Sequence, residues 1–332
     1  MEIKSLPDIP QGLIDAAARG VLVPFIGAGV SQLAGCPRWA EFADKVLEQL
    51  VQKWVLRPAQ RSQLSALSPR VKLSIAKITA KKAGVEIDYA TLLHKAADWH
   101  ENKDGRAVYG HLSALSRWFI TTNYDEWLDR LFPGTDSNEE EQAESAERRE
   151  QLRRNKLYRP EDFRADEFRK PDTVLHLHGA LEDPDGMILS TRDYIERYAN
   201  DRHHVGGDGE NLVLSFLEFL FQHRTILFVG YGLEELEVLE YVIMKAQDRS
   251  GRRNREARHY MLQGFFTFEE GSCDALQEYF LQQCGVELIP FSRDEEDWRQ
   301  LIPVLEDFVG KLPKNDPLTV QDFREMEGLV NG

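Results

Sequence analysis

Short unbroken apolar runs and longer helical stripes alternate along this chain. Residues 21–26, Val-Leu-Val-Pro-Phe-Ile, have the length and content of a buried strand, and the run stops abruptly at Gly27-Ala-Gly-Val-Ser31. Pro24 removes one ladder donor, which predicts an edge position or a local irregularity. Beyond the glycine turn, Trp39, Phe42, Val46, Leu50 and Trp54 recur at spacings of three and four, the pattern of one helix with a single apolar face. Residues 57–116 carry helical patterning only, with Ser68-Pro69 as a start signal and Gly84 and Gly105 as stops. A second buried strand is expected at 118–122, leading into Asn123-Tyr-Asp125, and a third over 173–178.

From residue 212 onwards the rhythm is regular. The pattern predicts an apolar helix over 212–221, a strand at 225–229 ending in Gly230-Tyr-Gly232, and a helix over 233–247. A strand at 259–262, a helix over 268–284, a strand at 286–289 and a closing helix over 295–309 follow. Strands alternating with helices imply parallel pairing. The expected class is therefore α/β: a Rossmann-like doubly wound parallel sheet with a mostly helical smaller insertion domain. The α/β domain is expected from residues 1–56, 116–133 and 171–312, the helical insertion from 57–115 and a C-terminal tail from 313–332. Residues 134–170 crowd Glu139, Glu140, Glu141, Arg148, Arg149, Arg153 and Arg154 together with few large apolar residues. This reads as a solvated charged insertion, a poor place to look for chemistry. Residues 201–211 read as a glycine-rich loop.

Charge and cysteine content narrow the function. Lys plus Arg is 41 against 56 for Asp plus Glu, a net charge of −15. That balance argues against direct nucleic-acid binding, which relies on basic side chains displacing counterions. No apolar stretch reaches the roughly 18 residues of a membrane span, so no membrane contact is expected. Residues 1–12 lack a basic and apolar leader pattern, and three cysteines (Cys36, Cys273 and Cys284) suit a reducing compartment. The expected location is cytoplasmic. Three cysteines also cannot build a four-cysteine zinc site.

In an open parallel sheet, ligands bind at the carboxyl ends of strands. Four such ends here carry unusual residues: Gly27 to Ser31, Thr122 to Asp125, His178-Gly179 and Gly230-Tyr231. Glycines let a backbone approach a pyrophosphate, although the third glycine of the dinucleotide fingerprint is replaced by Gln32. An ordinary strand–helix turn explains the same residues. Asn123 and Asp125 also suit a plain turn, in which their side chains bond their own backbone. His176 and His178 share a strand face, but no further ligand lies near them in sequence, so no metal is expected.

Together these elements resemble the sirtuin-like superfamily of NAD-consuming enzymes. The resemblance spans residues 20–310 in the family's order: Gly27-Ala-Gly-Val-Ser31 with Gly35-Cys-Pro37, then Thr122-Asn-Tyr-Asp125, then Leu177-His-Gly179, then residues 225–232. It is most similar to the domains of prokaryotic antiphage defence systems, which lack the zinc ribbon of sirtuin deacylases and degrade NAD. The chain departs from the pattern at Arg38-Trp39, which stands where an Asp–aromatic pair is usual, and at Gly232, which replaces a hydroxyl residue.

The resemblance implies NAD as substrate, with no metal, and cleavage of the nicotinamide–ribose bond. It implies Asn123 holding the ribose and the attacking water, His178 as general base and Asp125 on the carboxamide of nicotinamide. Gly27, Ala28, Gly29 and Ser31 would hold the pyrophosphate, and Gly230 and Tyr231 would lie under the adenosine side. It also implies a gate: a homo-oligomer, or a partner defence protein such as a HerA-type hexameric ATPase or an Argonaute. An NAD or ADP-ribose-derivative binding module, and a protein deacylase or ADP-ribosyltransferase, remain open as alternatives.

Overall fold

In the computed structural model, residues 3–94, 102–131, 153–198, 211–231, 243 and 259–313 are described. Expectations for the charged insertion over 134–152, the helix over 233–247 (Ile243 apart), the loop at 201–210, the tail beyond 313 and Gly232 lie outside them. Among the described residues, seven strands form one sheet in the order β3-β4-β2-β1-β5-β6-β7. They are β1 (Leu22–Ile26), β2 (Trp118–Thr121), β3 (Asn155–Leu157), β4 (Thr173–His176), β5 (Thr225–Val229), β6 (His259–Phe265) and β7 (Val286–Ser292). Every pairing is parallel. The chain leaves β1 towards β2 on one side and returns to its other side as β5, so the order reverses at β1.

The strand alternation divides the core. Val23, Phe25, Ile120, Leu175 and Phe228 face one layer, which α8 (Ala165–Arg169), α10 (Leu212–His223) and α11 (Glu270–Tyr279) cover. Leu22, Ile26, Phe119, Val174 and Val229 face the other, covered by α1 (Gln11–Ala18), α2 (Ala28–Leu33), α7 (Lys103–Leu115) and α12 (Leu301–Lys311). Apart from the short edge strand β3, the strands are buried on both faces, which is why they read as near-continuous apolar runs. A third core joins α3 (Trp39–Gln52), α5 (Pro69–Ala83) and α6 (Tyr89–His94) with Tyr124, Met187 and Leu189. The short α4 (Pro58–Leu64) lies between α3 and α5, and α9 (Thr191–Tyr198) follows β4.

Of the two readings of Pro24 the local irregularity holds, and three other expectations need correction. Pro24 does not mark an edge, because β1 is paired on both sides. The carbonyls of Leu22 and Ile26 accept from the hydroxyls of Ser116 and Thr121, and alternation puts the Pro24 nitrogen on that same β2 side. The β1–β2 ladder registers only Phe25 and Ile26, so the missing donor falls where the pairing is incomplete. Trp54 does not extend the apolar stripe: it lies past the end of α3 at φ 58° and is 95% exposed. Gly105 does not stop a helix but sits inside α7, where an added Cβ would lie 2.8 Å from the Trp127 ring. Residues 153–170 are not merely a solvated segment. They supply edge strand β3, the buried Arg154 and two core aromatics, Phe163 and Phe168.

Candidate functional site

Because the sheet is all parallel, the four unusual strand ends emerge on one edge. The turn after β1 and the turn after β5 press against each other. Gly29 N–H donates to the Gly230 carbonyl at 2.8 Å, and a Cβ on Gly27 would lie 2.5 Å from that same oxygen. Gly230 adopts φ +64°, and its own Cβ would lie 2.6 Å from Val30 N. The three glycines therefore have a packing reason, the crossing of two backbones, independent of any ligand.

The turn after β2 is built from the same contacts. The Thr121 hydroxyl donates to Ile26 O at 2.9 Å and accepts from Asn123 N–H at 2.9 Å. The Asn123 Nδ2 donates to Gly27 O at 3.0 Å. A carbonyl acceptor there fixes the orientation of the carboxamide, so Oδ1 is the atom left for a ligand. Asp125 turns inward. Its Oδ2 accepts from the Ser31 hydroxyl at 2.6 Å, and its Oδ1 accepts from Trp127 N–H at 3.2 Å and Tyr109 OH at 3.4 Å. The Ser31 proton is thus committed to Asp125.

One pocket at this edge is lined by Ala28, Ser31, Asn123, Asp125, His178 and Tyr231. Of the expected site residues, only Gly27, Gly29 and Gly230 are absent from its wall, and they form the backbone crossing beneath it. His178 is placed by the turn after β4, where Gly179 takes φ +90° and a Cβ would lie 2.8 Å from Gly186 O. The imidazole sits among the rings of Tyr124, Tyr194 and Tyr198, with centroids 6.2–6.5 Å away. Burial, reinforced by the charges of Arg197 and Arg70, pushes its pKa down to about 3. The ring is neutral throughout the physiological range.

Several wall residues are not among the site residues expected from the sequence. Tyr194 and Tyr198, four apart on α9, present one face to His178, a spacing visible in the sequence once the helix is known. Arg70, at the start of α5, lies 4.3 Å over the Tyr194 ring and lines the pocket, and nothing local in its sequence signals this. Trp39 stacks on Tyr124, whose hydroxyl donates to Ile188 O at 2.6 Å. Cys36 also lines the wall, but burial and the nearby Asp125 push its thiol far above the usual range, so it is no thiolate.

His176 and His178 do not act as a pair. His176 Nε2 lies 2.7 Å from Asp129 Oδ1 and its Nδ1 lies 3.0 Å from the Asn123 carbonyl, away from the tyrosine cage around His178. Among the described residues, Glu126, Asp129 and Glu182 bring carboxylates together, and the Lys156 ammonium sits in their midst, paired with all three.

Residues 117–289, a little over half of the chain, match the family described as the SIR2-like domain. The chain belongs to the SIR2-like family. The matched span holds Asn123, Asp125, His178, Gly230 and Tyr231 and begins after the Gly27–Ser31 turn, which the fold places against it. Membership is compatible with an NAD-dependent enzyme and supports a function connected with NAD. No curated protein matches the chain. Among the described residues of this SIR2-like protein, no helix is long and apolar enough to cross a membrane.

Proposed function

We propose that this SIR2-like protein hydrolyses NAD, releasing nicotinamide and ADP-ribose. The observation that carries the reading is the neutral His178 sharing one pocket with Asn123, whose Oδ1 is turned outward by the bond to Gly27. In the reaction the C1′–N1 bond breaks and its electron pair returns to the pyridinium ring, which leaves as neutral nicotinamide. A water oxygen bonds to C1′, and the proton that water loses is taken by His178. An uncharged imidazole is the form that can accept it. The transition state has oxocarbenium character, so an uncharged carbonyl such as Asn123 Oδ1 can hold the ribose hydroxyls and water without quenching the cation.

Pyrophosphate placement over the β1–α2 turn is part of the proposal in a reduced form. The Gly29 amide and the Ser31 proton are already spent, so Ala28 carries that contact. Gly27, Gly29 and Gly230 shape the floor, Tyr231 backs the adenosine side, and Asp125 serves through Ser31. Arg70, over the Tyr194 ring, adds a cation to the pocket lining.

Unchecked NAD cleavage is lethal to a host. The proposal therefore includes a restraint, by self-assembly or by a partner such as a HerA-type hexameric ATPase, and a role in antiphage defence through NAD depletion. Nicotinamide release from NAD is measured with and without an acetylated peptide. Equal release in both supports hydrolysis, release only with the peptide makes the protein a deacylase, and NAD binding without release, both alone and with the partner that lifts the restraint, makes it a sensor.

A further inference from the structure

Behind Asn123, on the side away from the pocket, lies a buried set of charges. His176 is 1% and Asp129 2% exposed. His176 Nδ1 faces the Asn123 backbone carbonyl at 3.0 Å, and Nε2 faces Asp129 Oδ1 at 2.7 Å. A carbonyl oxygen only accepts, so Nδ1 must carry a proton. The Asp129 carboxylate also accepts as long as it is ionised, so Nε2 must carry one too. Lys156, from edge strand β3, pairs with Asp129 Oδ2 and keeps it ionised. We propose that His176 is a positioning residue: a buried imidazolium, anchored by Asp129 and Lys156, that grips the Asn123 carbonyl and holds the Asn123 carboxamide in its working orientation.

The electrostatics agree. Asp129 holds the His176 pKa above its ordinary value despite complete burial, and His176 and Lys156 hold Asp129 below its own. The charged groups facing the pair are few. Lys156 comes from β3, and Glu126 and Glu182 surround its ammonium. Arg154 approaches Asp129 from the start of the same segment and is itself held by the carbonyls of Leu128 and Arg130. The arrangement joins the charged insertion to the site through three residues: Lys156, Asp129 and His176. Nothing in the composition of that insertion suggests a part in the site.

The role of Asn123 in this proposal rests on the NAD reading above, so the test has an arm that does not use activity. In the full-length protein carrying 15N- and 13C-labelled histidine and a 15N backbone, the His176 ring is identified by its loss in His176→Gln. The expected result is a ring protonated on both nitrogens at pH 7.5. The Tyr124 backbone amide, which shares its peptide group with the Asn123 carbonyl, should titrate together with that ring. In the second arm, His176→Gln keeps a donor near Nε2 only and should lower kcat roughly tenfold or more with KM for NAD little changed. His176→Asn keeps the donor near Nδ1 and should restore most of that loss.

A neutral ring at pH 7.5, or a Tyr124 amide that ignores its titration, overturns the proposal whatever the activity. So do two variants that both cleave NAD at the parent rate. If the parent protein cleaves no NAD either alone or with the partner that lifts its restraint, the NAD reading fails and the labelled-histidine arm alone decides whether the imidazolium exists.

Discussion

Ser31 donates its hydroxyl proton to Asp125 at 2.6 Å, joining two strand ends that are 94 residues apart in sequence. Two residues expected to meet the ligand also meet each other. The bond ties α2 to the β2 turn beneath the pocket, and Tyr109 of α7 closes the same cluster. Asp125→Ala should therefore strip partners from Ser31, Tyr109 and the Trp127 amide at once. We expect a loss of about 2–4 kcal/mol in denaturant unfolding, as for other buried charged hydrogen-bond centres. Asp125→Asn, which keeps the shape, should lose less. Equal stability of Asp125→Ala and parent would contradict this account of the cluster.

The crossing of the two glycine turns makes a second prediction. Gly230→Ala forces a side chain at φ +64° and places its Cβ 2.6 Å from Val30 N. We expect destabilisation of about 2 kcal/mol or more. Gly110→Ala, on an open face of α7 with nothing within 4 Å, should be neutral to slightly stabilising. Thermal melts of the two variants check the contrast.

The two histidines at the end of β4 should give opposite pH signatures. The folded pKa of His178 is depressed to about 3, so the unfolded chain binds more protons below about 6.5. Stability should fall as pH drops from about 6.5 towards 3, and His178→Gln should flatten that slope. For His176 the folded pKa is raised. Its contribution is fully present below about 6.5 and is lost as pH rises through the folded value. Unfolding midpoints taken across pH 4–9 for the parent and His178→Gln separate the two. The same shift at His178 predicts no acid limb in kcat near 6.5, because the base stays neutral.

The strand ends were readable because a strand that stops at a glycine or a polar cluster announces itself locally. The class of fold followed from the alternation of runs and stripes, and Ala28, Ser31, Asn123, Asp125, His178 and Tyr231 do share one pocket wall. What the pattern hid depends on tertiary contact. β3 is three residues long in a charged stretch, too short and too polar to register, yet it delivers Lys156 to Asp129. Arg70 reaches the pocket only because α5 packs beside α9, where Lys77 pairs with Asp193. The glycine turns were legible as special, but whether a glycine serves a ligand or a neighbouring backbone is decided by what crosses it. Here Gly29 N–H already belongs to Gly230.

The central claim is that Asn123 and His178 together cleave the nicotinamide–ribose bond. The most direct test follows nicotinamide release from NAD by the purified full-length protein, its Asn123→Ala variant and its His178→Ala variant, with folding of each checked by circular dichroism. Any partner needed for activity is supplied equally to all three. The account predicts release by the parent and a loss of at least roughly a hundredfold in each folded variant. Folded variants that release nicotinamide at the parent rate would contradict it.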